Sequence, residues 1–255
     1  MRWVATLWTL LLTGLLIPAG NLHAQLVQEF NPPKAECCLP GAAQRLASQL
    51  QDWNQLGRYH QDDMRLESEP AVSGRVVFLG DSITDGWNLE QFFPGKPYVN
   101  RGISGQTTPQ MLVRMFPDVI DLKPAAVILL AGTNDIAQNT GPQTAKMIEE
   151  NFQAITELAE KHNIKVILCS LTPVSDYTSS PQTTRRPPAA ILELNQWIKN
   201  YTAAGHAIFA DYYSALVDDQ GMLKNGYSND GLHPNARGYA LLVPVAEAAI
   251  EKALH

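Results

Sequence analysis

From residue 75 onward, short apolar runs rich in β-branched residues alternate with longer stretches of helical periodicity. The run Ala126-Val127-Ile128-Leu129-Leu130 is apolar at every position, which is typical of a parallel strand buried on both faces. Candidate strands cover 75–80, 97–100, 125–131, 165–172 and 207–211, and candidate helices cover 107–120, 142–162, 187–203 and 236–253. This alternation predicts an α/β fold, a three-layer α/β/α sandwich of about five parallel strands joined by right-handed crossovers.

The size and charge of the chain limit what it can be. With 255 residues, 45% of them hydrophobic and 17% charged, the chain can bury one sizeable core and suits one large domain better than two small ones. A net charge of −6 argues against nucleic acid or an anionic membrane surface as the main partner.

The first 24 residues differ from the rest. One basic residue, Arg2, precedes an uncharged Leu-rich stretch from Trp3 to Ile17. Leu22-His23-Ala24 then fits a signal-peptidase cleavage site, with the small residue Ala at its last position. This pattern predicts a signal peptide over 1–24, and therefore a periplasmic or extracellular protein with no stable membrane span after cleavage. A transmembrane anchor is the alternative, but the apolar run falls short of the ~20 residues that a span needs.

Residues 25–72 are expected to form an N-terminal lead-in, a segment outside the main domain that contains a helix. The main domain is expected over 73–255. Apolar residues at helical spacing from Gly41 to Leu66 predict an amphipathic helix, broken near Gly57. Of the three cysteines, Cys37 and Cys38 lie in the lead-in and Cys169 lies in an apolar run. Export permits disulfides, but an odd number leaves the pairing open, and Cys169 is expected to be a buried apolar residue.

A polar motif follows the first candidate strand. Gly80-Asp81-Ser82 comes directly after Val76-Val77-Phe78-Leu79, so Ser82 is expected at the carboxyl edge of the sheet, where ligands of open α/β sheets bind. A serine hydroxyl is a weak nucleophile until a base removes its proton. The alternative role of Ser82 is that of a helix N-cap, and both roles are compatible.

The base that Ser82 needs is predicted near the C-terminus, in Asp230-Gly231-Leu232-His233. A carboxylate three residues before an imidazole can fold back in a tight turn, accept a hydrogen bond from Nδ1 and leave Nε2 facing the serine. A metal site is the rival interpretation, but Asp230 and His233 supply only two ligands and no further Cys/His cluster accompanies them.

Two further motifs follow candidate strands. Asn100-Arg101-Gly102 comes after Pro97-Tyr98-Val99, and Gly132-Thr133-Asn134-Asp135 comes after the third strand. The N–H groups of Ser82 and Gly102 and the side-chain amide of Asn134 are the predicted donors to a developing oxyanion. Simple turn roles are the alternatives for Gly102 and Asn134, and Asp135 is expected to brace its loop.

Taken together, these four motifs resemble the SGNH (GDSL-type) hydrolases, over roughly residues 73–254. Gly80-Asp81-Ser82 corresponds to the nucleophile block, Gly102 to the oxyanion glycine, and Gly132-Thr133-Asn134-Asp135 to the Gly-x-Asn-Asp block. Asp230 and His233 correspond to the Asp-x-x-His block. Ile83 occupies the position of Leu in the Gly-Asp-Ser-Leu motif after which the family is named. The resemblance is closest to the compact lysophospholipase-like and acetylhydrolase-like branch.

The resemblance implies a flavodoxin-like sandwich, no metal, no organic cofactor and esterase activity on a small-molecule ester. The expected reaction is acyl transfer through Ser82, with a lysophospholipid or short-chain acyl ester as substrate and a carbohydrate O-acetyl ester as the alternative. An inactive binding module on the same fold would normally have lost Ser82 or His233. A flavin-binding protein of this fold would need a phosphate-binding loop after the first strand. Asp81 lies there instead, and its carboxylate would repel phosphate.

Substrate selection is expected in the loops at the same edge, of which Ser175 to Pro188 is the longest. It contains Tyr177, Arg185 and Arg186, and paired arginines can grip a carboxylate or phosphate. A solvated surface loop is the alternative. Neither an acyl groove nor an oligomeric state follows from the residues.

Overall fold

A computed structural model of the chain describes residues 50–70 and 72–255. The expected signal peptide, most of the lead-in, Cys37 and Cys38 lie outside the described residues. Across the described ranges, no helix has both the length and the apolar character needed to cross a membrane.

Five parallel strands form one sheet in the order β2-β1-β3-β4-β5. Their bounds are β1 (Val76–Gly80), β2 (Tyr98–Gly102), β3 (Ala126–Leu130), β4 (Lys165–Cys169) and β5 (Ile208–Ala210). The prediction of an α/β fold with five parallel strands is confirmed. The strand bounds differ from the expected ones by three residues or fewer at any end.

Helices cover both faces of the sheet. The described helices are α1 (His60–Ser68), α2 (Ser82–Asp85), α3 (Leu89–Phe92), α4 (Thr108–Val113), α5 (Thr133–Ile136), α6 (Ala145–Lys161), α7 (Pro188–Ala203), α8 (Tyr212–Leu216) and α9 (Ala236–Leu254). Side chains alternate along β1: Val77 and Leu79 join a core with α4, α6 and α7. Val76 and Phe78 join a second core with α8 and α9. The structure is therefore the three-layer sandwich that the alternation predicted.

Two predicted helices are interrupted. In the part of the segment 41–66 that the structure describes, the break expected near Gly57 is present: residues 52–59 form turns and bends, because the Asp52 carboxylate accepts the N–H groups of Leu56 and Gly57 at 2.8 and 2.9 Å. In the segment 107–120, α4 ends at Val113 and a π-helical turn covers Phe116–Ile120. Pro117 has no N–H to donate to the Val113 carbonyl, so the α-helical pattern cannot continue there.

The strand order brings three loops together at one edge. β1 lies between β2 and β3, and Gly80 at its end is paired in register with Gly102 and Leu130. The segments that follow these three residues therefore leave the sheet side by side. This edge is where the candidate site is built.

Candidate active site

Ser82 is the first residue of α2, directly beyond the carboxyl end of β1. The helix cap is Asp81, whose Oδ1 accepts the Ile83 N–H at 2.9 Å. The alternative role of Ser82 as an N-cap is therefore wrong, because Asp81 supplies the capping oxygen. The Ser82 hydroxyl is left available for other contacts.

His233 is held by Asp230 in a tight turn. Asp230 Oδ1 accepts the backbone N–H groups of Leu232 and His233 at 3.0 and 2.8 Å, and Asp230 Oδ2 lies 2.5 Å from His233 Nδ1. Partial burial favours the neutral carboxyl, but these hydrogen bonds outweigh it and hold the pKa of Asp230 well below its usual range. An ionised carboxylate can only accept, so Nδ1 carries the imidazole proton.

The other nitrogen of His233 faces Ser82. Nε2 lies 2.8 Å from Ser82 Oγ, although 151 residues separate the two in sequence. Because the proton is on Nδ1, Nε2 presents a lone pair to the hydroxyl. Ser82, His233 and Asp230 are thus arranged as a nucleophile, a base and an orienting acid, respectively.

Asn134 lies on α5, which follows β3, and it contacts the loops that follow β1 and β2. Its side chain is buried, and its Nδ2 donates to the Gln106 carbonyl at 3.0 Å and lies 3.4 Å from Asp81 Oδ2. Asp81 directly precedes Ser82, so the amide is brought beside the nucleophile. Asp135 braces the same region, as expected, by accepting the Thr108 N–H at 2.9 Å at the start of α4.

The expectation that Gly102 donates to an oxyanion is wrong in this structure. The Gly102 N–H already donates to Asn100 Oδ1 at 2.8 Å. A Cβ at this position would lie 2.1 Å from the Asp85 backbone nitrogen and 2.5 Å from the Thr84 carbonyl carbon. Gly102 is therefore needed so that α2 can pack closely against the end of β2.

Gly105, which the sequence reasoning missed, has the freer N–H group. Neither the Gly105 N–H nor the Ser82 N–H donates to an acceptor among the described residues. The neighbours of Gly105 tie its loop to both sides of the site: Ser104 Oγ donates to Asp85 on α2 at 2.7 Å, and Gln106 accepts from Asn134.

One sequence signal could have identified Gly105. Thr107 and Gln110 form the capping box that starts α4, so the chain must turn immediately before Thr107. Gly105, with φ of +83°, lies in that turn. Gly102 instead ends a strand, where N–H groups are usually engaged.

Of the three loop residues expected to bind substrate, Tyr177 and Arg185 are exposed and Arg186 is buried. Tyr177 is exposed and donates to Asp218 at 2.7 Å. Arg185 is also exposed, and its Nη2 donates to the Ala137 carbonyl at 3.1 Å and to Asn139 Oδ1 at 2.9 Å. Asn139 in turn donates to the Gly105 carbonyl, so Arg185 lies at the rim of the site.

Arg186 is not available to substrate as expected. Only 4% of it is exposed, and its Nη2 donates to Asn134 Oδ1 at 3.1 Å. Burial of the guanidinium lowers its pKa, as does Arg185, while Asp81 and Asp230 act in the opposite direction. Arg186 thus lies beneath the site, in contact with Asn134.

The carboxyl group of Asp81 is the most deeply buried charge at the site. Burial raises the pKa of Asp81 to about 7, although the Ile83 N–H and the nearby His233 and Arg186 favour the ionised form.

Over residues 50–70 and 72–255, no group of three or more His, Cys, Asp or Glu side chains is arranged to hold a metal ion.

Comparison with known proteins identifies relatives with the same fold. The family model described as "GDSL-like Lipase/Acylhydrolase family" matches residues 78–241. A crystal structure titled "putative acylhydrolase", from Bacteroides fragilis, is 38% identical with a TM-score of 0.74, covering 80% of this chain and 99% of that one. A GDSL-like lipase from Bacteroides thetaiotaomicron is 37% identical with a TM-score of 0.73, covering 79% of this chain and 99% of that one.

A curated relative matches a shorter stretch. The uncharacterized lipoprotein YqeF of Bacillus subtilis is 34% identical over 118 residues. The alignment covers 39% of this chain and 49% of the relative, so the chain spans about half the length of that relative. The sequence similarity to YqeF is therefore partial, whereas the two crystal structures are matched over nearly their whole length.

Proposed function

The chain belongs to the GDSL-like lipase/acylhydrolase family, and we propose that it hydrolyses carboxylic esters through an acyl-enzyme formed on Ser82. The observation that carries this proposal is the continuous hydrogen-bond chain from Asp230 through His233 to Ser82, with contacts of 2.5 and 2.8 Å. A binding module that had lost its activity would not need this chain.

In the first step, Ser82 Oγ attacks the ester carbonyl carbon while His233 Nε2 takes the hydroxyl proton. Asp230 stabilises the imidazolium that forms. When the tetrahedral intermediate collapses, the bond to the leaving oxygen breaks and His233 gives its proton to that oxygen. The alcohol departs and the acyl group stays on Ser82.

In the second step, water attacks the acyl carbon while His233 takes one of its protons. The bond to Ser82 Oγ then breaks, the proton returns from His233 to Oγ, and the carboxylic acid leaves. We assign the oxyanion donors as the Ser82 N–H, the Asn134 amide and the Gly105 N–H. Gly105 replaces Gly102, whose N–H is engaged with Asn100 at 2.8 Å. The Asn134 amide gives up its long 3.4 Å contact with Asp81 Oδ2 to bind the oxyanion and keeps its contact with the Gln106 carbonyl.

The exposure of the triad supports a short acyl group. The side chains of His233 and Asp230 are 40% and 45% exposed, which fits an open cleft better than the enclosed apolar channel that a long acyl chain needs. The same observation favours a carbohydrate O-acetyl ester as a second candidate substrate over a lysophospholipid. Arg185 and Tyr177, both exposed, are the proposed contacts to the alcohol portion.

The test is ester hydrolysis by the wild type and by Ser82→Ala. Activity on p-nitrophenyl acetate should fall by roughly 10⁵- to 10⁶-fold in Ser82→Ala, because the nucleophile is removed. Ser68→Ala, an exposed serine at the end of α1, is the matched control and should retain wild-type activity. Residual activity above a tenth of wild type in a folded Ser82→Ala protein would contradict the proposal.

A series of p-nitrophenyl esters from acetyl to palmitoyl tests the acyl preference. The specificity constant should be highest for the shortest chains. Acetylated oligosaccharides and lysophospholipids then identify the alcohol portion. A maximum at palmitoyl would refute the short-acyl proposal and favour a lipid substrate.

Export is part of the proposal. The leader over 1–24 has the pattern of a signal peptide, and the partly matching Bacillus subtilis relative is named a lipoprotein. N-terminal sequencing of the protein secreted from a bacterial host should find Gln25 as the first residue.

A further inference from the structure

A chain of hydrogen bonds connects the two halves of the candidate active site through one loop. Gln182 Nε2 donates to the Asp230 carbonyl at 3.3 Å, and Gln182 Oε1 accepts from Arg186 Nη1 at 3.1 Å. Arg186 Nη2 then donates to Asn134 Oδ1 at 3.1 Å. The loop therefore joins the backbone of the acid–base turn to the side chain of the oxyanion donor.

The loop itself is held in place by Asp176. Its Oδ1 accepts the N–H groups of Gln182 and Thr183 at 2.7 and 3.0 Å, and its Oδ2 accepts from the Thr183 hydroxyl at 2.5 Å. These contacts close the turn from which Gln182 and Arg186 reach inward. The positions of both side chains are thus set by local structure rather than by a ligand.

Arg186 is buried without a carboxylate partner. Among the described residues it forms no salt bridge, and its Nε is buried with no hydrogen-bond partner. Its two hydrogen-bond acceptors are the neutral amides of Asn134 and Gln182. Burying an arginine in this way is costly to stability, so packing alone gives no reason for the guanidinium.

The contact with Asn134 has a direct consequence for the orientation of the amide. An asparagine amide can turn by half a rotation and exchange its oxygen and nitrogen, with similar shape in either orientation. A cation that binds Oδ1 favours the orientation in which Nδ2 faces the Gln106 carbonyl and the carboxyl of Asp81, the residue before Ser82. The opposite orientation would bring Oδ1 towards the oxyanion and repel it.

We propose that Arg186, supported by Gln182, is a positioning residue that locks the Asn134 amide with its N–H groups towards the oxyanion. This inference rests on the proposed ester hydrolysis. Arg186 touches neither the substrate nor Ser82. Its effect on the reaction passes through Asn134.

The primary variants are Arg186→Met and Arg186→Lys. Arg186→Met should lower kcat by about 10- to 100-fold with little change in KM, because the loss falls on transition-state stabilisation. Arg186→Lys keeps one donor and should recover part of that loss. Arg75→Met is the matched control: Arg75 is also 4% exposed, but it donates to the Leu122 carbonyl, at the start of β1 and away from the site.

A double mutant separates positioning from a general loss of structure. If Arg186 acts through Asn134, then Arg186→Met should cost nothing further in an Asn134→Ala background. Gln182→Leu, which leaves Arg186 in place, is a milder variant and should lower kcat by a smaller factor. It keeps the test usable if Arg186→Met does not fold.

A second readout does not depend on turnover. An alkylboronic acid forms a tetrahedral adduct on the serine, so its inhibition constant should rise in Arg186→Met by about the factor by which kcat/KM falls. Equal losses of kcat in Arg186→Met and Arg75→Met, or additive losses in the double mutant, would overturn the positioning role. A wild type without Ser82-dependent hydrolysis would instead refute the proposed function.

Discussion

Gly102 and Gly105 are three residues apart, and the structure uses them for opposite reasons. Gly102 is required because any side chain would collide with the backbone of α2. Gly105 has open space around it, with Asn139 Nδ2 the nearest atom at 3.9 Å from a Cβ, and its constraint is the positive φ of its turn. At the scale of single residues, steric exclusion and backbone conformation therefore explain two glycines in one motif.

The two glycines predict different costs on substitution. Gly102→Ala should lower the free energy of unfolding by about 3 kcal/mol or more, because the backbone atoms of Thr84 and Asp85 must move. Gly105→Ala should cost about 1–2 kcal/mol, the penalty of a left-handed conformation for a residue with a Cβ. Urea denaturation measures both. A larger loss for Gly105→Ala would contradict these assignments.

At the scale of elements, α9 has a well-capped N-terminus but carries a proline in its interior. The side chain of Asn235 caps its first turn by accepting the N–H groups of Arg237 and Gly238 at 3.0 and 3.2 Å. Pro244 lies in the middle of the same helix. Its ring nitrogen cannot donate to the Ala240 carbonyl, so one hydrogen bond of the helix is missing. Burial of the apolar face against the sheet stabilises α9 in spite of this.

Pro244→Ala should therefore stabilise the protein. Pro244 is exposed, so alanine can restore the helical hydrogen bond without disturbing the core. The gain should be about 1–2 kcal/mol, after subtraction of the entropy that proline removes from the unfolded chain. Thermal unfolding measures it, with the exposed Glu251→Ala as a neutral helix control. A lower melting temperature for Pro244→Ala than for wild type would show that the proline is preferred at this position.

At the scale of the whole molecule, buried carboxyl groups set the response to pH. Burial, together with the neighbouring Asp118, raises the pKa of Asp63 to about 7 despite the contact with Arg101. Burial likewise raises the pKa of Asp81 to about 7 and raises the pKa values of Asp118 and Asp135. Asp230 is shifted in the opposite direction by its hydrogen bonds to the His233 turn.

The free energy of unfolding should decrease as pH rises from about 4 to about 7. In that window the folded chain keeps protons on Asp63 and Asp81 that the unfolded chain releases near pH 4, so deprotonation favours unfolding. Below about pH 4 the lowered pKa of Asp230 acts in the other direction, and its contribution to stability is lost. Urea denaturation at pH 5 and pH 8 measures the difference.

Asp63→Asn tests the origin of that dependence. The variant removes one titrating group and should flatten the change in stability between pH 5 and pH 8, whatever its effect on stability at a single pH. Wild-type protein that is more stable at pH 8 than at pH 5 would contradict the assignment of the raised pKa values.

Much of the fold followed from local patterns. The apolar runs predicted the central strands β1, β3 and β4, because strands buried on both faces need apolar residues at nearly every position. The edge strands β2 and β5 are only partly buried, and they were predicted from the alternation of strands with helices. The motifs after β1 and β3 and the Asp230–His233 turn were predicted from chemistry that is local in sequence. The break near Gly57 was predicted, but its extent over 52–59 was not, since the Asp52 carboxylate accepts the N–H groups of Leu56 and Gly57 and competes with a helix whose apolar spacing looks regular.

The sequence by itself determined which side chains can carry the chemistry and that their strands share one sheet edge, since residue type and apolar periodicity are properties of the chain alone. Only the tertiary structure decided that Gly102 must lack a side chain and where Arg186 lies. A Cβ on Gly102 would collide with the backbone of α2, which the chain reaches only through the fold. Arg186 reads as a surface arginine, yet it is buried because Asn134 and Gln182, distant from each other in sequence, supply its acceptors.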